Sequence, residues 1–356
     1  MKKPKGTRPW FCVAKLTLAA TVAVTTIAGT AFAEKIVISN WDGYMPADLL
    51  EKFTAATGIE AELSLHGTNE EIMGKVVAGG GKGYDVLFVS SPFAEALNNL
   101  GLAARIDQSK VPNMANLYPE ATQLAHDPGN TYSVPYAWGT TGLCYRSDMM
   151  EEPTSWSDLL SPSDDLKGKV TMLSTDRWLM GAAALAMGKS LNDTSDETLE
   201  AAKDMLVSAK QSLLSYDDTT FYQKVVSGEA TMVHAWDGWC NYGIAENADI
   251  KYVIPEEGTD LWVDTIVITS ASENAEAAHA FVDYVLGEET GVWVASNILY
   301  KTPNQKAMEA LDASLLESFP NMAMQPADMI QYEQLRDLGD GQKAFARTVT
   351  EIMAAQ

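Results

Sequence analysis

Apolar and polar positions along the chain alternate between two periods, and the alternation predicts strands and helices in turn. Ile36 to Asn40 is a short apolar strand. Pro46 to Thr57 carries Leu49, Leu50 and Phe53 on one helical face, and Gly58 ends it. Ile59 to His66 alternates as a strand does. Asn69 is placed to cap a helix running through Val77, stopped by Gly79, Gly80 and Gly81. Tyr84 to Ser90, with Val86, Leu87, Phe88 and Val89 at its centre, reads as a buried strand, and Pro92 opens a helix to Leu100. Strand and helix in strict turn predict a parallel sheet covered by helices, an α/β fold. Ligands in such sheets sit beyond the carboxyl ends of the strands, here Asn40-Trp41, His66-Gly67 and Ser90-Ser91.

The second half repeats the alternation. Strands are expected at Val170 to Leu173, Ala230 to Trp236, Tyr252 to Pro255 and Leu261 to Thr269. Helices are expected at Arg177 to Met187, Glu197 to Leu213, Trp239 to Glu246, Ala275 to Leu286 and Gln342 to Ala354. Pro135 to Gly142 and Asp260 to Thr265 are candidates for segments crossing between two lobes. No internal repeat or low-complexity tract interrupts the pattern.

Residues 1–33 differ from the rest. They hold Lys2, Lys3, Lys5, Arg8 and Lys15 and no acid. A small-residue apolar run from Leu16 to Phe32 follows, closing in Ala31-Phe32-Ala33. That order is the pattern of a cleaved export signal. Thr17, Thr21, Thr25, Thr26 and Thr30 make the run weakly hydrophobic for a permanent span. Cys12 precedes the apolar run and is no lipid-attachment cysteine. The reading is a soluble exported protein with no membrane anchor.

Composition changes this picture in one respect. With 46% hydrophobic and 21% charged residues the chain is an ordinary globular one of about two domains. Its 25 Lys and Arg face 48 Asp and Glu, a formal net charge of -23; without the five basic residues of the leader it is -28. Such a surface repels phosphate backbones, so nucleic acid is excluded as a partner, while a small cation is tolerated. Solubility alone also accounts for acidity of this kind. Cys144 and Cys240 remain after the leader. An exported protein can join them or bury them as free thiols, and neither has metal-ligand spacing.

Catalytic patterns are missing. None of His66, His126, His234 and His279 pairs at the spacing of a zinc helix, and there is no G-x-S-x-G elbow. His279 reads as a surface or core-edge residue. Gly79-Gly80-Gly81-Lys82-Gly83 follows a helix and precedes a strand, the reverse of a phosphate loop, and lacks Ser or Thr after the lysine. Asp217-Asp218 and Asp127 to Asn130 read as turns. Neither an enzyme activity nor a cofactor or metal is expected.

What stands out is aromatics beside carboxylates at strand ends. Trp41, Asp42 and Tyr44 follow the first strand. Trp236 ends a strand with Asp237 next. Trp262 and Asp264, two apart, share one strand face, and Tyr300 precedes Thr302-Pro303. Asp176 stands before a helix, as a cap or as a ligand group. Indole faces attract a cation by roughly 0.5–2 kcal/mol each, and a buried ammonium needs a carboxylate partner.

At these residues the chain resembles the spermidine/putrescine-binding proteins of bacterial ABC importers. The resemblance is carried by Asn40-Trp41-Asp42-Gly43-Tyr44, Thr57-Gly58-Ile59, Asn69-Glu70, Tyr84-Asp85-Val86, Tyr132 to Tyr136 with Trp138-Gly139, Ser155-Trp156, Pro255 to Gly258, Trp262-Val263-Asp264 and Tyr300 to Asn304. It covers nearly the whole chain beyond the leader, in order. It implies a periplasmic, monomeric, two-lobe type II binding protein. Each lobe would be a mainly parallel sheet flanked by helices, with crossing strands as hinge. Lobe 1 would take residues 34–138 and 265–308, and lobe 2 residues 139–264 and 309–356. A polyamine would lie in the cleft, and the closed form would dock on a permease driven by an ATPase.

The resemblance also assigns roles. Trp41 and Tyr44 become aromatic walls, Ser90 a polar contact, and Trp236, Trp262 and Tyr300 cleft aromatics. Asp264 becomes the strongest ammonium partner, with Asp176 the acid of the second-lobe loop. Two positions depart from the family. Leu179 stands where a second acid is common, and Pro92 stands where spermidine binders carry Tyr. Asp42 or Asp237 is then the expected replacement, and a shorter or less charged amine is favoured over spermidine. A zwitterion or amino acid is the alternative ligand, for which Arg177 is the one arginine beside a proposed site residue. A secreted enzyme on a similar scaffold is the remote alternative.

Overall fold

The predicted alternation is present in the computed structural model, which describes residues 35–355 together with Met1, Lys2 and Gly6. Apart from those three residues the expected leader lies outside the described residues. Ten strands form in chain order: β1 (Lys35–Asn40), β2 (Glu60–Leu65), β3 (Val86–Ser90), β4 (Val134–Arg146), β5 (Val170–Met172), β6 (Ser215–Tyr216), β7 (Met232–Trp236), β8 (Ile250–Val253), β9 (Asp260–Ile268) and β10 (Glu333–Gln334). The helices that matter below are α1 (Leu49–Thr57), α2 (Asn69–Gly79), α3 (Ser91–Asn99), α4 (Asp176–Ala186), α5 (Asp196–Lys210), α6 (Asp237–Glu246), α7 (Ala275–Val285), α8 (Glu288–Trp293) and α9 (Gln342–Ala354).

Helix ends follow local chemistry, with two corrections to the sequence reading. α1 begins at Leu49 rather than Pro46, because Leu49 N–H closes a turn onto the Pro46 carbonyl first. Its end is as expected: Gly58 adopts φ 77° and donates to the Thr54 carbonyl. Thr68, not Asn69, caps α2 by accepting the Glu71 N–H on its hydroxyl. That leaves the Asn69 side chain free for a longer-range role.

Pairing is parallel where helices connect neighbouring strands and antiparallel where long strands cross. β2–β1–β3 and β6–β5–β7 are parallel. β9 runs antiparallel to β3 and β4, and β4 runs antiparallel to β7 and β8. The sheet is therefore mixed, and the βαβ rhythm predicts only its outer strands. β4 is 13 residues long. Its first part, Val134 to Thr140, pairs with β9, and its second, Thr141 to Arg146, with β7 and β8.

Separate apolar clusters form on the two parts. One surrounds Phe53, Phe88, Trp138 and Phe281; another surrounds Trp156, Leu179, Leu206 and Phe345. β4 feeds both, through Tyr136 and Trp138 on one side and Leu143 and Tyr145 on the other. Among the described residues no helix is long and apolar enough to cross a membrane.

Cys144 of β4 and Cys240 of α6 form a disulfide, with Cα atoms 5.7 Å apart and a separation of 96 positions in sequence. It pins α6, which starts at the strand ends, to the shared strand. Closing so long a loop stabilises the folded state by about 2–4 kcal/mol. Reduction, or the Cys144→Ser/Cys240→Ser pair, is expected to lower the urea midpoint accordingly; an unchanged midpoint would show that the link carries no stability.

Candidate functional site

Strand register brings the expected residues together. Ser90, the last residue of β3, pairs directly with Asp264 of β9. Its hydroxyl donates to Asp264 Oδ1 at 2.6 Å. Tyr44, on the turn after β1, donates to Asp264 Oδ2 at 2.6 Å. Both carboxylate oxygens are thus oriented by neutral donors. Burial pushes the Asp264 carboxyl pKa up, and the two hydroxyls oppose that shift. As a whole residue Asp264 is half-buried.

The support beneath is local and specific. Asn69 donates from Nδ2 to Ser90 Oγ (3.1 Å) and accepts the Ser90 N–H on Oδ1 (3.0 Å). A β-bulge between Pro135 and Ala137 re-aims Tyr136, whose hydroxyl donates to the Tyr44 carbonyl at 2.6 Å. Trp41 stands edge-on to Tyr44 and to His66, at 5.2 and 4.9 Å between ring centres. Ser39 Oγ and His66 Nδ1 are 2.8 Å apart, which fixes that imidazole behind the indole. Burial lowers the His66 pKa to about 4, so it is neutral at pH 7.

Tyr300 joins the two sides. It lies 4.7 Å from Trp262 and 6.3 Å from Tyr44. A π-helical turn, Val294–Ile298, precedes it, and Leu299 is held at φ 54°, a conformation that costs a branched side chain. Asn241 of α6 steadies the turn by donating to the Leu299 carbonyl at 3.0 Å. The Tyr300 ring packs so closely on Gly238 that a Cβ there would meet Cδ1 at 2.0 Å.

From the second part of the sheet come Trp236 and Asp176. Trp236, half-buried at the end of β7, stands edge-on to Trp178 at 5.3 Å. Trp178 donates from Nε1 to Asp260 Oδ2 at 3.0 Å. Asp176 is half-buried at the first turn of α4, on a loop held by Asp218, which accepts the Ser174 and Thr175 N–H groups. Burial raises the Asp176 pKa first, and the charge of Glu70 on α2 raises it next. Leu179 is fully buried in a core cluster, so its position offers no place for an acid. Pro92 is buried at the start of α3.

Asp42 is exposed on the turn after β1, outside this arrangement. Asp237 is more deeply placed: it is the first residue of α6, where the sequence reading began that helix at Trp239. Its carboxylate accepts the Thr140 N–H (3.2 Å) and the Gly238 N–H (2.9 Å). A Cβ at Gly139 would strike it at 2.5 Å and the Trp262 ring at 2.4 Å. Burial pushes its pKa up to about 7, opposed by these bonds and by Lys301. Lys301, 3% exposed, is the sole buried lysine among the described residues, and burial lowers its pKa to about 8.

Arg177 donates to the Arg336 and Leu191 carbonyls and to Asn192 Oδ1. A separate cavity of about 590 Å³ lies between α1, α7 and α8 and contains none of the expected residues. Among the described residues no group of three or more His, Cys, Asp or Glu could hold a metal ion. His279 is buried and accepts the Asp107 N–H at 3.0 Å, a structural role.

Sequence reasoning missed Asn69, Tyr136, Trp178, Asp260, Lys301 and the approach of Glu70. Trp178 and Asp260 each lie two positions from an expected residue, and Asn69, Glu70, Tyr136 and Lys301 lie within the motifs that carry the family resemblance.

The chain is similar to known proteins over most of its length. The sequence model of one family, "Bacterial extracellular solute-binding protein", matches residues 48–315. The chain is 30% identical over 337 residues to the spermidine/putrescine-binding periplasmic protein 1 of Haemophilus influenzae, covering 93% of this chain and 92% of that protein. It is 29% identical over 354 residues to the putrescine/cadaverine-binding protein of Pseudomonas aeruginosa, covering 95% and 98%. A solved structure described as a putative spermidine/putrescine ABC transporter from Listeria monocytogenes superposes with a TM-score of 0.82 at 28% identity, covering 91% of this chain and 100% of that one.

Two outcomes follow from the geometry. Gly238→Ala is expected to cost about 1–3 kcal/mol by driving Tyr300 from its place, whereas Gly243→Ala, with its nearest contact at 3.3 Å, should cost less; equal melting points for the two would contradict the packing. Between its ordinary value of 3.8 and about 7, the folded state holds a proton on Asp237 that the unfolded chain releases. Stability therefore falls as pH rises through that window. Asp237→Asn should flatten the fall in denaturant titrations, and an unaltered slope would place the titration elsewhere.

Proposed function

Because the chain belongs to the bacterial extracellular solute-binding proteins, we propose that it captures a polyamine in the periplasm and delivers it to an ABC permease with its ATPase. Residues 1–33 act as the cleaved export signal, and the mature protein works as a monomer without catalysis. The parts of the sheet on either side of the shared strand are the two lobes, residues 34–138 with 265–308 and 139–264 with 309–356. Ligand contacts to both favour the closed form.

The observation that carries the reading is Asp264, whose two carboxylate oxygens are aimed by the hydroxyls of Tyr44 and Ser90, with Trp41 and Tyr300 packed on Tyr44 and Trp262 packed on Tyr300. An ammonium has N–H donors and no acceptor. It needs a fixed acceptor surrounded by electron-rich rings, and that is what these residues offer. The second pole is Asp176 with Glu70. Two acids drawn toward one another from opposite lobes repel each other when no cation lies between them. A bridging ammonium removes that repulsion, so closure answers to the ligand's charge. In this reading Glu70, rather than Asp42 or Asp237, supplies the acid that position 179 lacks. Asp237 is set back, with Lys301 as its counter-ion.

Arg177 supports an amine over a zwitterion. Both terminal nitrogens of its guanidinium are committed to carbonyl and amide oxygens of the protein, which leaves a ligand carboxylate without that partner. The relatives named for spermidine/putrescine and for putrescine/cadaverine support a ligand with two or more ammonium groups.

Calorimetric titration with putrescine, cadaverine, spermidine, a monoamine and 4-aminobutyrate tests the proposal. Diamines are expected to bind at least about tenfold tighter than the monoamine and the amino acid. Asp264→Asn should weaken every amine by at least about tenfold with the fold intact, and Glu70→Gln should narrow the gap between diamine and monoamine. Tightest binding of 4-aminobutyrate, or an Asp264→Asn variant that binds putrescine normally, would overturn it.

A further inference from the structure

A small cavity, most of whose exposed lining is apolar, lies beside Trp178. Thr141, Arg177, Trp178, His234 and Asp260 are among the residues that line it, and it offers about 10 Å³ to the centre of a water-sized sphere. Three polar atoms of those residues are buried without a hydrogen-bond partner in the protein: Thr141 Oγ1, Arg177 Nε and His234 Nδ1. Buried polar atoms are nearly always satisfied, and an orphan guanidinium N–H is costly. Three such atoms around one cavity, beside a carboxylate, have one economical explanation.

We propose that a single internal water molecule occupies this cavity and bridges Arg177 to Asp260. A water molecule offers two donors and two acceptors. Here the lining groups supply their complement: Arg177 Nε–H and the Thr141 hydroxyl donate to it, and it donates to Asp260 and to His234 Nδ1. The acceptor role of Nδ1 fits a neutral imidazole, and burial holds the His234 pKa down at about 3. Asp260 has the capacity, because its other bonds are one from Trp178 Nε1 at 3.0 Å and one from Thr259 Oγ1 at 3.3 Å.

Ions suit the cavity less well. The fixed positive charge of Arg177 opposes a metal cation, and Asp260 opposes chloride. An apolar guest would leave all three atoms unpaired.

The bridge gives Arg177 a partner for its remaining N–H and holds Asp260 where it anchors Trp178. Trp178 in turn sets the edge of Trp236. The water is thus a positioning element of the cleft wall in the second half, independent of which ligand the cleft takes.

A high-resolution crystal structure of the purified protein tests this. One density peak is expected within hydrogen-bond reach, roughly 2.7–3.2 Å, of Arg177 Nε, His234 Nδ1 and Asp260. A dry cavity, side-chain rotamers that fill it, or a peak with the anomalous signal or coordination of an ion would overturn the proposal. Nitrogen-15 NMR of the His234 ring is a second readout that needs no variant. Nδ1 is expected to be unprotonated and hydrogen-bonded; a protonated Nδ1 would contradict the assigned donors and acceptors.

Discussion

A carboxylate held between two hydroxyls is the constraint on which the candidate site depends. Asp264 lies 220 residues from Tyr44 and 174 from Ser90 in sequence. Only the antiparallel pairing of β3 with β9 sets Ser90 opposite it, and only the turn after β1 brings Tyr44 to its other oxygen. Desolvation alone would favour the neutral acid. The hydroxyls oppose that. Asn69, Tyr136 and Leu299 each do something locally unusual: a side chain diverted from capping, a bulge, a left-handed backbone. In each case the result fixes a neighbour of that carboxylate.

Much of this was legible in the sequence, and the illegible part has physical reasons. Trp41, Tyr44, Ser90, Trp262, Asp264 and Tyr300 were visible because aromatics and acids at strand ends are unusual and because their order matched a family. The parallel flanks followed from hydrophobic period. The antiparallel crossing of β4 and β9 did not, because a buried strand of 13 residues has no alternation to read in either direction. The roles of Asn69 and Glu70 were hidden for a different reason. Both sit in the first turn of a helix, where capping and dipole effects account for such residues without any distant contact. Lys301 gave no signal because one lysine in a loop reads as solvated until its burial is seen.

Charge is distributed with a purpose that total composition conceals. The chain is strongly acidic, and of four acids around the strand ends two have a buried basic residue nearby. Asp237 has Lys301 beside it, and Asp260 has Arg177. Asp264 has only neutral donors, and Asp176 has a like charge for a neighbour. Those two acids have no basic group among the neighbours that shift them.

The strand that belongs to both parts of the sheet has a consequence for how the molecule comes apart. Tyr136 and Trp138 are sealed in one core, Leu143 and Tyr145 in the other, and the peptide between them is uninterrupted. Neither core can melt without stripping the ladder that orders its neighbour. Damage on one side is thereby felt on the other. The two parts are accordingly poor candidates for exchange as independent modules between relatives, since each is completed by backbone the other also needs.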